Sequence, residues 1–227
     1  MMALQSALFD LDGTLLDTAP DFHQVITQLL AEEGRPAISY EAVRAEVSNG
    51  ARALVSRAFD LSPEAPGFNE LHQRMLALYA SQLTQHSRLF DGMNNLLEWL
   101  ESNHIPWGIV TNKPSLYTLP ILEGLQLQSR CGSVICPDHV NKTKPDPEGL
   151  LMACRELNAE PGHSVYIGDH RRDIEAGKAA GMITIAAAYG YIDPRDPVTD
   201  WNSHHTAVDA HEILSLLQSM NEHSSPA

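Results

Sequence analysis

Residues 7–18 read ALFDLDGTLLDT, a segment in which an apolar, strand-like run leads directly into two acidic residues. The run ends at Asp10, and a second aspartate, Asp12, follows after one apolar residue and precedes Gly13. Two carboxylates this close repel each other, and each loses favourable hydration on leaving water. Their position at the end of a strand apolar enough to be buried indicates a site that needs a cation.

The composition limits the classes of partner. A chain of 227 residues can form one substantial core, or a core with a smaller appended domain. A net charge of −14 argues against nucleic acid, because that binding needs clustered Lys and Arg to neutralise phosphates. An anionic small molecule therefore has to be attracted by local cations against the overall charge.

The sequence also carries signals of compartment and assembly. No apolar run approaches the roughly 20 residues that span a bilayer, and the chain opens without a signal segment, so we expect no membrane association. Three cysteines without a CxxC pair are expected to be small buried residues in a reducing compartment. We therefore expect a cytoplasmic protein, and the absence of a long coiled-coil pattern predicts a monomer or a weak homo-oligomer.

From residue 93 onward the pattern alternates between helix-like and strand-like segments. The strand-like segments are short, continuously apolar and separated by helical ones, as in a parallel sheet covered by helices on both faces. We therefore predict an α/β fold with a doubly wound, mostly parallel sheet. The predicted strands are 5–10, 105–111, 132–136, 164–168, 183–188 and 206–208.

A helical insertion separates the first strand from the others. An apolar stripe at helical spacing begins at Phe22, and Thr18 with Asp21 resembles a helix-capping box. Residues 16–87 show no convincing strand, and the further helices expected there are 40–47, 51–59 and 68–85. We predict a discontinuous α/β core, residues 1–15 and 88–227, carrying a helical cap, residues 16–87.

One edge of the predicted sheet collects polar residues. Asp10 ends the first strand, Thr111 and Asn112 end the second, and Asp169 ends the fourth. Open parallel sheets bind ligands outside the carboxyl ends of their strands, so we expect these side chains to meet there. Gly13 lets the chain turn just beyond Asp10 and present backbone N–H groups to an anion.

The residue types at this edge favour phosphoryl transfer. Clustered carboxylates need a cation, and an oxygen-rich site with few protein ligands suits Mg²⁺. Lys144, in the segment KPDP, is placed to offset negative charge on the carboxylates and on a substrate phosphate. Thr111, Asn112 and Lys144 together offer hydroxyl, amide and ammonium donors for phosphoryl oxygens.

The segments DLDGTLLDT, VTNK, KPDP and GDHRRD resemble, in order, the four motifs of the haloacid dehalogenase-like hydrolase superfamily. The insertion resembles its C1-type helical cap. Within the superfamily the chain is similar to the phosphoglycolate phosphatase group. The runs TNKP and ICPDHVNKTKPDPE are similar to the branch that includes N-acetylmuramic acid 6-phosphate phosphatases.

The resemblance implies a role for each motif residue. Asp10 would attack phosphorus and form an aspartyl phosphate, and Asp12 would protonate the leaving alcohol and then deprotonate the attacking water. The implied phosphate-binding residues are Gly13, Thr14, Thr111, Asn112 and Lys144, of which Thr111 and Lys144 also count as catalytic. The implied Mg²⁺ ligands are Asp10, Asp12 through its backbone carbonyl, Asp169 and, in support of the metal's waters, Asp173.

The resemblance predicts a Mg²⁺-dependent phosphomonoesterase, with N-acetylmuramic acid 6-phosphate or 2-phosphoglycolate as the favoured substrate. A sugar phosphomutase of the same superfamily is the alternative, and a phosphorelay receiver domain is a more distant one from another class. Arg52 is either a substrate-binding residue that holds a carboxylate or a solvated helix arginine. His170 stands where the family often has Ser, Thr or Asp, and its role stays open.

Overall fold

The computed structural model describes residues 4–222, so the outer ends of the predicted core lie outside the described residues. Its strands are β1 (Ser6–Phe9), β2 (Leu16–Asp17), β3 (Arg88–Leu89), β4 (Trp107–Val110), β5 (Ser133–Ile135), β6 (Ser164–Gly168), β7 (Ile183–Ala187) and β8 (His205–Ala207). Its α-helices are α1 (Ala19–Glu32), α2 (Tyr40–Arg44), α3 (Ala51–Phe59), α4 (Phe68–Ser81), α5 (Met93–Ser102), α6 (Ser115–Gly124), α7 (Glu148–Glu156), α8 (Arg171–Ala179) and α9 (Ala210–Glu222).

Six strands form a parallel sheet in the order β5-β4-β1-β6-β7-β8. Strand β1 is central, and its Leu8 pairs with Gly108 of β4 on one side and Tyr166 of β6 on the other. From β1 the chain first adds β4 and β5 on one side and then β6, β7 and β8 on the other. This change of direction creates a switch point at the carboxyl end of β1. The residues that follow β1, β4 and β6 therefore face one another.

Both faces of the sheet are covered. The side chains of β1 alternate, because Ala7 and Phe9 pack into one apolar cluster while Leu8 packs into another. The first cluster includes helices α1, α5 and α9, and the second includes α7 and α8. The predicted fold class, a doubly wound parallel sheet, is confirmed.

The insertion departs from the prediction at its base. Residues 16–87 were expected to contain no strand, yet β2 pairs antiparallel with β3, with Leu16 opposite Leu89 and Asp17 opposite Arg88. The chain that leaves the sheet and the chain that returns to it run side by side here. Two residues are too few to show a period-2 pattern, so the sequence gives no signal of this pairing.

Helices α1 to α4 pack on one another within the insertion. Val25, Ile26 and Leu29 of α1 are fully buried, as the apolar stripe predicts. The helix expected at 40–47 ends at Arg44, and a short 3₁₀ turn, Val47–Asn49, follows it. The division into a core and a cap at residues 16 and 87 stays a prediction.

The predicted capping box at the start of α1 is wrong. Thr18 makes no capping hydrogen bond, and Asp21 accepts instead from the backbone N–H groups of His86 and Ser87. The phenolic oxygen of Tyr191 takes over the capping role, because it accepts from the N–H groups of Thr18 (2.7 Å) and Ala19 (2.9 Å). A partner 172 residues away cannot be found from local spacing.

Two further findings concern the cysteines and the helices. Cys136 and Cys154 are buried and Cys131 is half-buried, and all three are free thiols. Between residues 4 and 222 no helix has the length and apolar character needed to cross a bilayer.

Candidate active site

The sheet brings three acidic side chains together. Asp10 follows β1, Asp169 follows β6, and Asp173 lies in the first turn of α8, so the switch point gathers all three. Each is buried, and one carboxylate oxygen of each lies within 4.8 Å of the others. Carboxylates at this density fit a hard divalent cation, which prefers oxygen ligands.

Lys144 lies between two of these carboxylates. Its Nζ is 2.9 Å from Asp10 Oδ1 and 2.7 Å from Asp173 Oδ1, and it also donates to the hydroxyl of Tyr166 at 2.8 Å. Burial on its own lowers the pKa of Lys144, but the two carboxylates outweigh it and the pKa lies above its ordinary value. Lys144 therefore supplies positive charge to the site.

Asp10 is ionised in this environment. Burial alone raises its pKa, yet the charge and hydrogen bond of Lys144, the charge of Arg172 and the N–H of Leu11 outweigh that effect. The resulting pKa lies below the ordinary value for aspartate. The Leu11 N–H donates to Asp10 Oδ1 at 2.7 Å and fixes its orientation. An ionised, oriented carboxylate at the end of β1 is suited to nucleophilic attack.

Asp169 has the opposite character. Burial, then the charges of Asp10 and Asp173, raise its pKa to about 8, despite hydrogen bonds from the Tyr191 N–H (2.8 Å) and the Thr14 hydroxyl (3.1 Å). Such a group holds its proton at neutral pH unless a cation replaces the proton. The burial and the neighbouring negative charges that favour a proton on Asp169 also favour a bound cation there.

The phosphate-binding prediction is only partly matched by geometry. The side chain of Thr14 is fully buried and donates to Asp169 Oδ1, and Thr14 does not line the cavity beside Asp10. The N–H of Gly13 was expected to face an anion, but it donates to the carbonyl of Leu16 at 2.9 Å. That expectation is wrong, because the turn after β1 closes on itself.

Gly13 is required for another reason. Its φ of +84° lies in the left-handed region, and a Cβ there would approach Asp169 Oδ2 to 2.1 Å. The missing side chain thus lets the turn after β1 lie against Asp169.

Asp12 stands apart from the three-carboxylate cluster. Its carboxylate is about one-sixth exposed and accepts from the Thr18 hydroxyl at 2.5 Å. Lys113 Nζ lies 3.0 and 3.2 Å from its two oxygens. Asp10 and Asp12 both line the same cavity, as their spacing of two residues predicts.

A cavity of about 560 Å³ opens from these two aspartates toward helices α3 and α4. Thr111 and Asn112 line it beside Asp10, and the amide of Asn112 also donates to the Lys144 carbonyl at 3.2 Å. Arg52 also lines it, with its guanidinium 5.0 Å from the ring of Phe68. Aromatic and aliphatic side chains form much of the remaining wall, including Phe22, Leu76, Tyr79, Leu116 and Tyr117.

The insertion reaches the carboxylate cluster. Arg172 Nη2 donates to the carbonyl of Ser48 at 2.6 Å, and the Ser48 hydroxyl lies 3.5 Å from Asp169 Oδ2. Arg44 Nη2 donates to the carbonyls of Tyr189 and Gly190, both at 2.8 Å. The 3₁₀ turn after α2 therefore lies directly over the polar edge of the sheet.

His170 has a structural role. It is the N-cap of α8, where its Nδ1 accepts from the Arg172 N–H and its own N–H donates to Asp173 Oδ2. Burial, and then the charge of Arg172, lower its pKa to about 4, so the ring is neutral at pH 7. The pairing holds Asp173 at the start of α8.

Sequence reasoning missed three residues of this site. Lys113 belongs to the segment VTNK and Arg172 to GDHRRD, so the signal available was a basic residue within each motif segment. Tyr79, on α4, carries no local signal, because only the tertiary fold brings it to the cavity.

Sequence comparisons agree with the fold. The family described as haloacid dehalogenase-like hydrolase matches residues 7–187. The chain therefore belongs to this family, and within it to the phosphatase group. An N-acetylmuramic acid 6-phosphate phosphatase of Pseudomonas putida is 47% identical over 202 residues, covering 89% of this chain and 91% of the relative.

Other relatives carry a different name. A phosphoglycolate phosphatase of Xanthomonas campestris is 39% identical over 199 residues, covering 88% of this chain and 90% of the relative. A crystal structure of a predicted phosphoglycolate phosphatase from Haemophilus somnus superimposes with a TM-score of 0.83 at 26% identity, covering 95% of this chain and 99% of that one. The predicted family and enzyme class, a phosphoric monoester hydrolase, are confirmed.

Proposed function

We propose that the protein is a Mg²⁺-dependent phosphomonoesterase that hydrolyses N-acetylmuramic acid 6-phosphate. The choice of substrate rests on the volume of the cavity, about 560 Å³. Pockets of roughly 300–1,000 Å³ enclose organic ligands of considerable size. A phosphorylated amino sugar would use this space, whereas 2-phosphoglycolate would leave most of it to water. The name of the 47% identical Pseudomonas putida relative supports the same substrate.

Asp10 is the proposed nucleophile. Its ionised carboxylate would attack phosphorus, form an aspartyl phosphate and break the bond between phosphorus and the sugar oxygen. In its protonated form, Asp12 would donate a proton to that departing oxygen. Asp12 would then accept a proton from water as the water attacks the aspartyl phosphate, which releases inorganic phosphate and restores Asp10.

Other residues of the site would hold the substrate. Thr111 and Asn112 are proposed to donate to the phosphoryl oxygens, and Lys144 to balance their charge. The Arg52 guanidinium, which lines the cavity, is proposed to bind the carboxylate of the substrate. A carboxylate beyond the phosphate is a feature of both candidate substrates, so Arg52 does not by itself choose between them.

The acidic cluster is the proposed Mg²⁺ site. Asp10, Asp169 and the backbone carbonyl of Asp12 would hold the cation, and Asp173 would support it while orienting Lys144. When bound, the cation supplies positive charge that neutralises Asp169 and the phosphoryl group. A cytoplasmic location and a monomeric or weakly associating state complete the proposal.

A second substrate is kept as a candidate. The 39% identical Xanthomonas campestris relative, named as a phosphoglycolate phosphatase, favours 2-phosphoglycolate. Transfer of the phosphoryl group from Asp10 to another sugar hydroxyl, as in a phosphomutase, is the alternative outcome for the aspartyl phosphate.

The test is phosphate release from a panel that contains both candidates and common sugar phosphates, measured with Mg²⁺ and with EDTA. We expect kcat/KM for N-acetylmuramic acid 6-phosphate to exceed the others by orders of magnitude, and Asp10→Asn to abolish the activity. A preference for 2-phosphoglycolate would overturn the substrate choice. A rearranged sugar phosphate without phosphate release would support the mutase.

A further inference from the structure

Lys113 has no part in the proposed chemistry, yet it is one of the best-anchored cations in the site. Its side chain is about 6% exposed, and its Nζ lies 3.0 and 3.2 Å from the two oxygens of Asp12. The same Nζ donates to the hydroxyl of Tyr79 at 2.8 Å. A lysine this deeply buried needs such partners, because an unpaired ammonium group in an apolar wall is costly.

The aromatic wall fixes the position of this ammonium group. The rings of Phe22 and Tyr79 stack at 4.2 Å, and Lys113 Nζ is 4.8 Å from each ring centroid. Equal distances to two stacked rings place the nitrogen beside the pair and not above one face. The rings therefore restrict the lysine more than they attract it, and Asp12 is its electrostatic partner.

The two aspartates of the first motif thus have separate lysines. Lys144 pairs with Asp10 and Lys113 pairs with Asp12. Since the two acidic side chains repel each other, a separate lysine partner for each holds the two in different orientations. Asp12 is held from a second side by the Thr18 hydroxyl.

We infer that Lys113 is a positioning residue for Asp12, and that it directs the Asp12 carboxyl group toward the oxygen of the leaving alcohol. The inference rests on the proposed function, because it needs Asp12 as the proton donor. Through Tyr79 the orientation of the acid also depends on the position of helix α4.

The chemistry of the leaving group gives a selective test. A sugar alkoxide leaves poorly and needs the proton of Asp12, whereas p-nitrophenolate leaves readily without one. We expect Lys113→Met to lower kcat/KM for N-acetylmuramic acid 6-phosphate by about 100-fold or more, the range of general acid catalysis, and that for p-nitrophenyl phosphate by less than about 10-fold. An equal loss on both substrates would overturn the inference.

A direct contact between Lys113 and a substrate carboxylate is the competing explanation. N-acetylglucosamine 6-phosphate separates the two, because it keeps the sugar leaving group and lacks the carboxylate. Positioning of Asp12 predicts a similar loss of kcat/KM on both sugars. A loss confined to the substrate with the carboxylate, and appearing in KM, would assign Lys113 to binding.

Further variants keep the test decisive. Lys113→Arg retains the cation and should recover much of the lost activity, and Tyr79→Phe should give a smaller loss with the same leaving-group selectivity. If Lys113 acts through Asp12, adding Lys113→Met to Asp12→Asn should cost little more than Asp12→Asn alone. Full additivity in this double variant would contradict the inference.

The controls separate failure of the inference from failure of the proposed function. Lys142→Met changes an exposed lysine that pairs with Asp146, and its kcat/KM should stay at the wild-type value. Thermal unfolding of each variant checks that it is folded. A wild-type protein that releases no phosphate from any of the three substrates would reject the proposed function. An active wild type with an unselective Lys113→Met would reject only the inference.

Discussion

Arg172, in the first turn of α8, donates from Nη2 to the backbone carbonyl oxygen of Ser48, in the 3₁₀ turn of the insertion, across 2.6 Å. The guanidinium lines the cavity, and its Nε is buried without a hydrogen-bond partner. One side chain therefore connects the insertion to the sheet and contributes positive charge beside Asp10.

Replacement of Arg172 by Gln should make the enzyme more sensitive to acid. Burial raises the Asp10 pKa, and Lys144 and then Arg172 lower it, so removal of Arg172 moves the Asp10 pKa upward. Because Asp10 must be ionised to attack, the acidic limb of the kcat/KM profile should shift to higher pH. The measurement is a pH–rate profile at saturating Mg²⁺. Arg57→Gln, an exposed change on α3, should leave the profile in place.

Asp169→Asn should stabilise the protein in EDTA at pH 8 while abolishing its stabilisation by Mg²⁺. The folded-state pKa of Asp169, about 8, lies above its unfolded value of about 4, so its protonation stabilises the fold at low pH. That contribution is lost as pH rises through 8. Because asparagine does not ionise, the variant does not lose stability in this way as pH rises. It also lacks the carboxylate that is proposed to hold the cation.

Thermal unfolding with EDTA or Mg²⁺, at pH 5 and pH 8, measures the Asp169 effect. The increase in Tm caused by Asp169→Asn should be smaller at pH 5, where wild-type Asp169 already holds its proton. An equal increase in Tm at both pH values would show that ionisation of Asp169 does not change the stability of the fold.

Gly13→Ala should be much more destabilising than a matched change at Gly34. Both glycines have positive φ, so each alanine costs about 1–2 kcal/mol in backbone conformation. A Cβ at Gly34 meets nothing within 4 Å, whereas one at Gly13 would approach Asp169 Oδ2 to 2.1 Å. Urea denaturation should therefore give a larger loss for Gly13→Ala, with Mg²⁺ stabilisation also lost. Equal losses would mean that the turn can move away from Asp169.

Arg52→Ala tests the proposed carboxylate contact. We expect KM for N-acetylmuramic acid 6-phosphate to rise by about 10-fold or more, since a charge-assisted hydrogen bond contributes about 1.5–3 kcal/mol. The constants for N-acetylglucosamine 6-phosphate, which lacks the carboxylate, should change little. Arg57→Ala, on the same helix but outside this cavity, is the control. A KM unchanged on both sugars would assign Arg52 to its contact with Phe68 alone.

Local patterns predicted the sheet well because its strands are short, buried and followed by diagnostic polar residues. Asp10, Thr111 and Asp169 could be placed at one edge because parallel strands share their direction. Lys113 and Tyr79 could not be paired in advance, since a loop residue and a helix residue meet only through packing. The hydrogen bonds by which Tyr191 caps α1 could not be predicted for the same reason, because Tyr191 is far from α1 in sequence.

The short ladder of β2 and β3 has a consequence for how such chains diversify. Asp17 and Arg88 face each other in it, so the whole intervening segment starts and finishes at nearly one point in space. A segment tethered in this way can be lengthened, shortened or exchanged for another without stretching the sheet to which it is attached. The polar edge of the sheet can thus be covered by a different segment through a single replacement between two neighbouring positions.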